Sequence, residues 1–134
     1  MTATEVTGRG PASDRGDPYV LVVDDDLDIR TVIEDVLVGE GYSVVTAANG
    51  AAALDILRVR RPRLILLDLT MPVMGGAEFR RVQLEDLDLA AVPTVVMTAR
   101  RDPGMQVSGL AVRACLAKPI QLDDLLRIVA HYCS

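Results

Sequence analysis

Apolar residues follow two alternating rhythms along this chain. Uninterrupted apolar runs at 19–23 and 64–67 are joined by a β-branched stretch at 42–47, a largely apolar one at 92–97 and a short one at 113–117. Runs of this kind read as strands covered on both faces, as in a parallel sheet flanked by helices. Between them the apolar spacing changes to three and four. Ile29, Val32, Ile33, Val36 and Leu37 predict a helix over 27–40, and Leu54 and Leu57 one over 51–60. Phe79, Val82 and Leu84 predict a third over 77–87, and Leu122, Leu125, Leu126 and Val129 a last one over 122–132. Residues 103–111 are weakly helical, because Pro103, Gly104, Ser108 and Gly109 all oppose it.

The punctuation agrees. Asp26 or Asp28 can satisfy the first free N–H groups of the helix at 27–40. Gly39 and Gly41 stop it, and Asn49-Gly50 turns the chain into the next. Pro72 and Gly75-Gly76 separate the third strand from its helix. Five strands thus alternate with five helices, and right-handed crossovers make the sheet parallel. Helices on one face alone would leave the other bare. The expectation is a single α/β domain over 18–134, a doubly wound five-stranded parallel sheet of flavodoxin-like (βα)5 type. Its strand order is 2-1-3-4-5, with a switch point beside the first strand. Residues 1–17 offer almost nothing to bury and read as a flexible N-terminal tail.

Composition narrows the function. Half the residues are hydrophobic, enough to fold, yet with one Phe, three Tyr and no Trp the core must be aliphatic. A net charge of −5 argues against direct nucleic-acid binding, which needs a basic face. Arg58, Arg60, Arg61 and Arg63 do cluster around Pro62. They read as a solvated helix end, with a phosphate-binding patch as the alternative. Two cysteines are too few for a disulfide framework and point to a reducing cytoplasm. Cys115, in the fifth strand, reads as a small buried hydrophobe. No apolar stretch reaches the roughly 20 residues of a membrane span, and the start lacks the regions of a signal peptide.

The chemistry gathers where strands end. The first strand ends in Asp24 and Asp25, the third in Asp68, the fourth in Thr98 and the fifth in Lys118. In a parallel sheet all these ends share one edge, where ligands of open α/β sheets bind. Carboxylates brought this close repel by roughly 4 kcal/mol per pair at an intermediate dielectric. Lys118 offsets part of that. An all-oxygen donor set calls for a hard divalent cation, and Mg²⁺ fits best because it takes one or two carboxylates and keeps several waters.

Four stretches carry a resemblance. Val22-Val23-Asp24-Asp25-Asp26, Leu67-Asp68-Leu69-Thr70-Met71-Pro72-Val73-Met74-Gly75-Gly76, Val96-Met97-Thr98-Ala99 and Lys118-Pro119 occur in this order. Together they make the sequence similar to the receiver domain of two-component response regulators, the CheY-like superfamily, over residues 19–132. The resemblance implies that Asp68 is the phosphoacceptor, attacking a phosphohistidine of a sensor histidine kinase or histidine phosphotransfer protein. It implies that Asp25 binds Mg²⁺ directly, Asp24 mainly through water, and the backbone carbonyl of Thr70 completes the set. Thr98 and Lys118 would each bond a phosphoryl oxygen, Lys118-Pro119 would be cis, and Arg100 and Thr70 would tune phosphoryl lifetime.

The sequence departs from the family pattern at Cys115, where an aromatic switch residue is usual. The stretch from Thr98 to Lys118 is also about two residues short. These features imply an atypical output surface and a short or mobile helix at 103–111. The resemblance further implies a cytoplasmic, phosphorylation-dependent switch, not an enzyme with a separate substrate, acting on a downstream protein. An aspartyl phosphatase of the haloacid dehalogenase type would want an acid two residues after Asp68, where Thr70 stands. A degenerate receiver that only binds partners would dispense with the five site side chains, all of which are present. His131, the only histidine, reads as a cation near a helix C-terminus.

Overall fold

A computed structural model describes residues 18–69, 71, 74–99 and 112–133. The tail at 1–17, the segment at 103–111, Thr70 and Arg100 lie outside the described residues. The strands are β1 (Val20–Val23), β2 (Val44–Ala47), β3 (Leu64–Asp68), β4 (Thr94–Thr98) and β5 (Ala114–Ala117). The described helices are α1 (Leu27–Gly39), α2 (Gly50–Val59), α3 (Gly76–Leu84), the single turn α4 (Leu87–Ala90) and α5 (Leu122–Cys133). All strand pairs are parallel, in the order β2-β1-β3-β4-β5.

Alternation along each strand builds two cores from one sheet. Val20 and Val22, Leu64 and Leu66, Val95 and Met97, and Leu116 face Ile33 and Leu37 of α1 and Leu125 and Val129 of α5. The intervening Leu21, Val23, Ile65 and Leu67 face Ala53, Leu54 and Leu57 of α2 and Phe79 of α3. This is why β1 and β3 carry no polar residue before the Asp68 that ends β3. Both of their faces are covered, and every residue of β1 and β3 is buried.

Several boundaries differ from the sequence expectation, each for a local reason. Asn49 starts a helix where a turn was expected: its side chain accepts from the Ala52 N–H at 2.8 Å. Gly39 stays helical, and Gly41 takes the left-handed φ of +93° that ends α1. The expected helix at 77–87 breaks at Leu84, because Asp86 caps a new turn by accepting from Asp88 N and Leu89 N. β2 starts at Val44 and β4 at Thr94, each two residues later than the apolar pattern implies. Cys115 is exposed, correcting the reading of a buried hydrophobe. β5 is an edge strand, and alternation turns Cys115 away from the face on which Leu116 packs. Val32 and Leu122, placed on packed faces by spacing, are 52% and 46% exposed.

Candidate functional site

The sheet delivers the expected strand ends to one edge and ties them together. Asp24 follows β1, and its N–H donates to the Ala47 carbonyl at the end of β2 (3.1 Å). Asp68 closes β3, and the next residue, Leu69, donates to the Met97 carbonyl of β4 (3.4 Å). Thr98 closes β4, and its carbonyl accepts from the Lys118 N–H (2.8 Å), just beyond β5. The Lys118-Pro119 bond is cis, as the resemblance implied.

Burial separates the three acids. Asp24 is fully buried and Asp68 is 5% exposed, while Asp25 faces solvent. One carboxylate oxygen from each lies within 4.8 Å of the others. Lys118 Nζ donates to Asp24 Oδ2 at 2.8 Å and stands 3.4 Å from Asp68 Oδ1. Burial alone would lower the Lys118 pKa, but the bond and charge of Asp24 and the charge of Asp68 outweigh it and leave it raised. Among the described residues one ammonium, that of Lys118, faces the three acids, which favours a further positive charge at the site. An all-oxygen donor set there suits a hard divalent cation such as Mg²⁺.

Two supports escaped the sequence reading. Arg30, one turn into α1, donates to the Asp24 carbonyl at 2.8 Å and fixes the β1–α1 turn. Asp26 serves twice: its N–H donates to Asp24 Oδ1 (2.9 Å), and its own carboxylate caps α1 by accepting from Asp28 N and Ile29 N. Its acidity signalled the cap but not the contact with Asp24. Gly76 has a steric signature. A Cβ there would overlap the Asp68 carbonyl and the Leu69 Cα, so only glycine lets α3 pack this closely against the strand end.

The structure thus brings Asp24, Asp25, Asp68, Thr98 and Lys118 to one edge. Cys115 stands apart, exposed on β5. His131 is exposed in the last turn of α5, edge-on to Tyr132, and takes no part.

A family model described as the response regulator receiver domain matches residues 20–130. The chain is 35% identical over 116 residues to sporulation initiation phosphotransferase F of Bacillus subtilis, covering 84% of this chain and 91% of that protein. It is 39% identical to the transcriptional regulatory protein AfsQ1 of Streptomyces coelicolor, covering 84% of this chain but only 51% of the relative, so it spans about half the length of that protein. Among solved structures it resembles the receiver domain of sensor histidine kinase PA1611 from Pseudomonas aeruginosa, with a TM-score of 0.79 and 28% identity, covering 86% of this chain and 96% of that one. That structure holds a magnesium ion coordinated in its active-site cleft. The chain belongs to the response regulator receiver domain family, the phosphoacceptor modules of two-component signalling.

Proposed function

We propose that Asp68 accepts a phosphoryl group from a phosphohistidine of a sensor histidine kinase or histidine phosphotransfer protein, and that the modified edge controls the binding of a downstream protein. The observation that carries this reading is the convergence of three carboxylates and one lysine at the carboxyl edge. In the transfer, an Asp68 carboxylate oxygen bonds to phosphorus as the P–N bond to the donor histidine breaks. The electron pair of that bond stays on the imidazole nitrogen, and the product is an acyl phosphate on Asp68. Such a transfer is catalysed mainly by positioning and by neutralising charge on the equatorial oxygens.

Lys118 is poised for the second task, since its ammonium already stands 3.4 Å from Asp68. The Thr98 hydroxyl would bond another phosphoryl oxygen from the adjacent strand end. Asp24 already accepts from Lys118 and from the Asp26 N–H, which suits it to hold a metal mainly through water. Asp25 and Asp68, with the Thr70 carbonyl, would be the direct ligands, and a bound Mg²⁺ would supply that further positive charge. Arg100 and Thr70 would tune the lifetime of the acyl phosphate.

The new charge would draw Thr98 and Lys118 inward, and their backbone hydrogen bond makes β4 and β5 move together. Cys115, exposed on β5, gives that surface its atypical character. With Thr70 two places after Asp68 there is no acid for a leaving group, so the chain turns over no separate substrate beyond its own phosphorylation and dephosphorylation. The site of action is the cytoplasm, where the two free thiols persist. No described helix is long and apolar enough to cross a membrane. The receiver domain would occupy residues 18–134.

Incubation with acetyl phosphate and Mg²⁺, followed by intact mass measurement, tests the assignment. The wild type should gain one phosphoryl group, and neither Asp68→Asn nor the wild type in excess EDTA should. An equal gain in Asp68→Asn would refute the role given to Asp68.

A further inference from the structure

The turn that joins β2 to α2 carries no acid, base or nucleophile, yet it touches both sides of the carboxyl edge. At its start the Ala47 carbonyl accepts from the Asp24 N–H at 3.1 Å, and at its end the Gly50 N–H donates to the Met74 carbonyl at 3.1 Å. Met74 leads through Gly75 to Gly76, whose N–H donates to the Leu69 carbonyl at 3.0 Å and where a side chain would overlap the Asp68 carbonyl. We propose, on the reading of that edge as a magnesium-dependent phosphoacceptor, that this turn braces it and that Gly50 is a positioning residue. The missing side chain of Gly50 sets the spacing between the Asp24 backbone and the segment packed on Asp68.

Space is the first argument. Gly50 is buried, and a Cβ on it would stand 2.7 Å from Met74 Cγ and 2.9 Å from both Met74 Sδ and the Met74 carbonyl oxygen. The methionine side chain can swing aside, but the carbonyl belongs to the backbone and yields only if the chain moves. The φ of Gly50 lies outside the left-handed region, so no turn requires a glycine there. Alanine is the better helix former. What glycine supplies at the start of α2 is room. Gly39, the last residue of α1, gives the contrast: a Cβ there would meet nothing within 4 Å.

Connectivity is the second. Asn49 locks the turn by capping α2, accepting from the Ala52 N–H at 2.8 Å, and Met74 packs on the core that holds Val23, Leu67 and Phe79. The turn therefore has little freedom to follow a displaced Met74. Gly76 has no room to take up the movement either, being already against the backbone of Asp68 and Leu69. A retreat of the Met74 carbonyl thus reaches the strand end that presents Asp68, while Asp24 stays bonded to Ala47. Oxygens of Asp24, Asp25 and Asp68 that now lie within 4.8 Å of one another would lose that spacing. Metal sites tolerate this poorly, because ligands must be held within about half an ångström of their places.

An NMR titration of the isotope-labelled full chain with magnesium chloride tests this, the amide shifts reporting affinity and fold together. Wild type should bind, and D25N should bind much more weakly. G50A should weaken magnesium binding by about tenfold, the lower end of what loss of a support behind the ligands costs a metal site. Its amide at position 50 should also exchange faster with solvent, its bond to Met74 being stretched. G39A should keep the wild-type affinity. Adding M74A to G50A should recover part of the loss, since two of the three contacts vanish. A merely destabilising substitution would lower the urea midpoint without moving the affinity of the folded protein. If G50A does not fold, G50A/M74A is compared with M74A and should still bind more weakly, the carbonyl contact remaining. Undiminished affinity in the folded variant, with wild type and D25N behaving as stated, would overturn the brace alone. Magnesium that binds wild type no better than D25N would overturn the metal reading and the brace with it.

Discussion

A single atom illustrates how the site economises on charge: Lys118 Nζ serves Asp24 and Asp68 at once, at 2.8 and 3.4 Å. It belongs to the only lysine among 14 Lys and Arg residues. A compact ammonium can sit between two carboxylates, whereas the wide guanidinium fork needs more room. Gly76 is as constrained, by space rather than charge. Gly76→Ala must push α3 away from the Asp68 carbonyl, at a cost of about 1–3 kcal/mol in urea unfolding. Its initial rate of phosphorylation by acetyl phosphate should also fall; a variant of wild-type stability and rate would contradict the close approach. Tyr19 makes a prediction about pH. Burial pushes its phenol up to about 12, against a smaller opposing pull from Arg60. A raised folded-state value means the neutral phenol contributes stability that is complete below its ordinary pKa and is lost as pH rises through about 12. Ultraviolet titration should show one tyrosine ionising near that pH, and Tyr19→Phe should abolish that step alone.

Among the elements, α3 holds the feature the sequence pattern conceals most. Spacing placed Phe79 and Val82 inward, and Phe79 is indeed fully buried. Arg80 and Gln83, which that spacing does not mark, are 2% and 0% exposed. Arg80 Nη1 donates to Thr94 Oγ1 at 3.0 Å, the Thr94 hydroxyl donates to Gln83 Oε1 at 3.5 Å, and Gln83 Nε2 donates to the Leu89 carbonyl at 2.7 Å. Thr94→Val should cost about 1–3 kcal/mol, because it removes an acceptor from a buried guanidinium. A change within a few tenths, measured by urea unfolding, would show that the bond contributes nothing. No periodicity argument could have found this network. An inward arginine and an outward one look alike until the partner across the sheet is known. The strands were easier to read, since runs buried on both faces carry an unbroken apolar signal. Cys115 failed for a different reason: the expected order already put β5 at the sheet edge, but strand propensity did not tell which of its faces is left uncovered. The five site side chains were legible because each stands where an apolar run stops, and strand parallelism alone then gathers them. Arg30 carried no such mark, because its role is a bond to a backbone carbonyl.

Across the described residues, acids gather at one edge of the sheet and arginines at the other. The carboxyl edge gathers Asp24, Asp25 and Asp68 around one lysine, and the opposite edge gathers arginines around the α2–β3 turn. The central claim concerns the first edge, and peptide mapping after borohydride reduction tests it most directly. Borohydride converts an acyl phosphate on aspartate to homoserine and leaves free carboxylates alone. Trypsin cuts after Arg63 and Arg80, releasing residues 64–80, whose only acids are Asp68 and Glu78. After treatment with acetyl phosphate and Mg²⁺, the account predicts homoserine at position 68 of that peptide. Reduction at any other residue, with position 68 still aspartate, would contradict it.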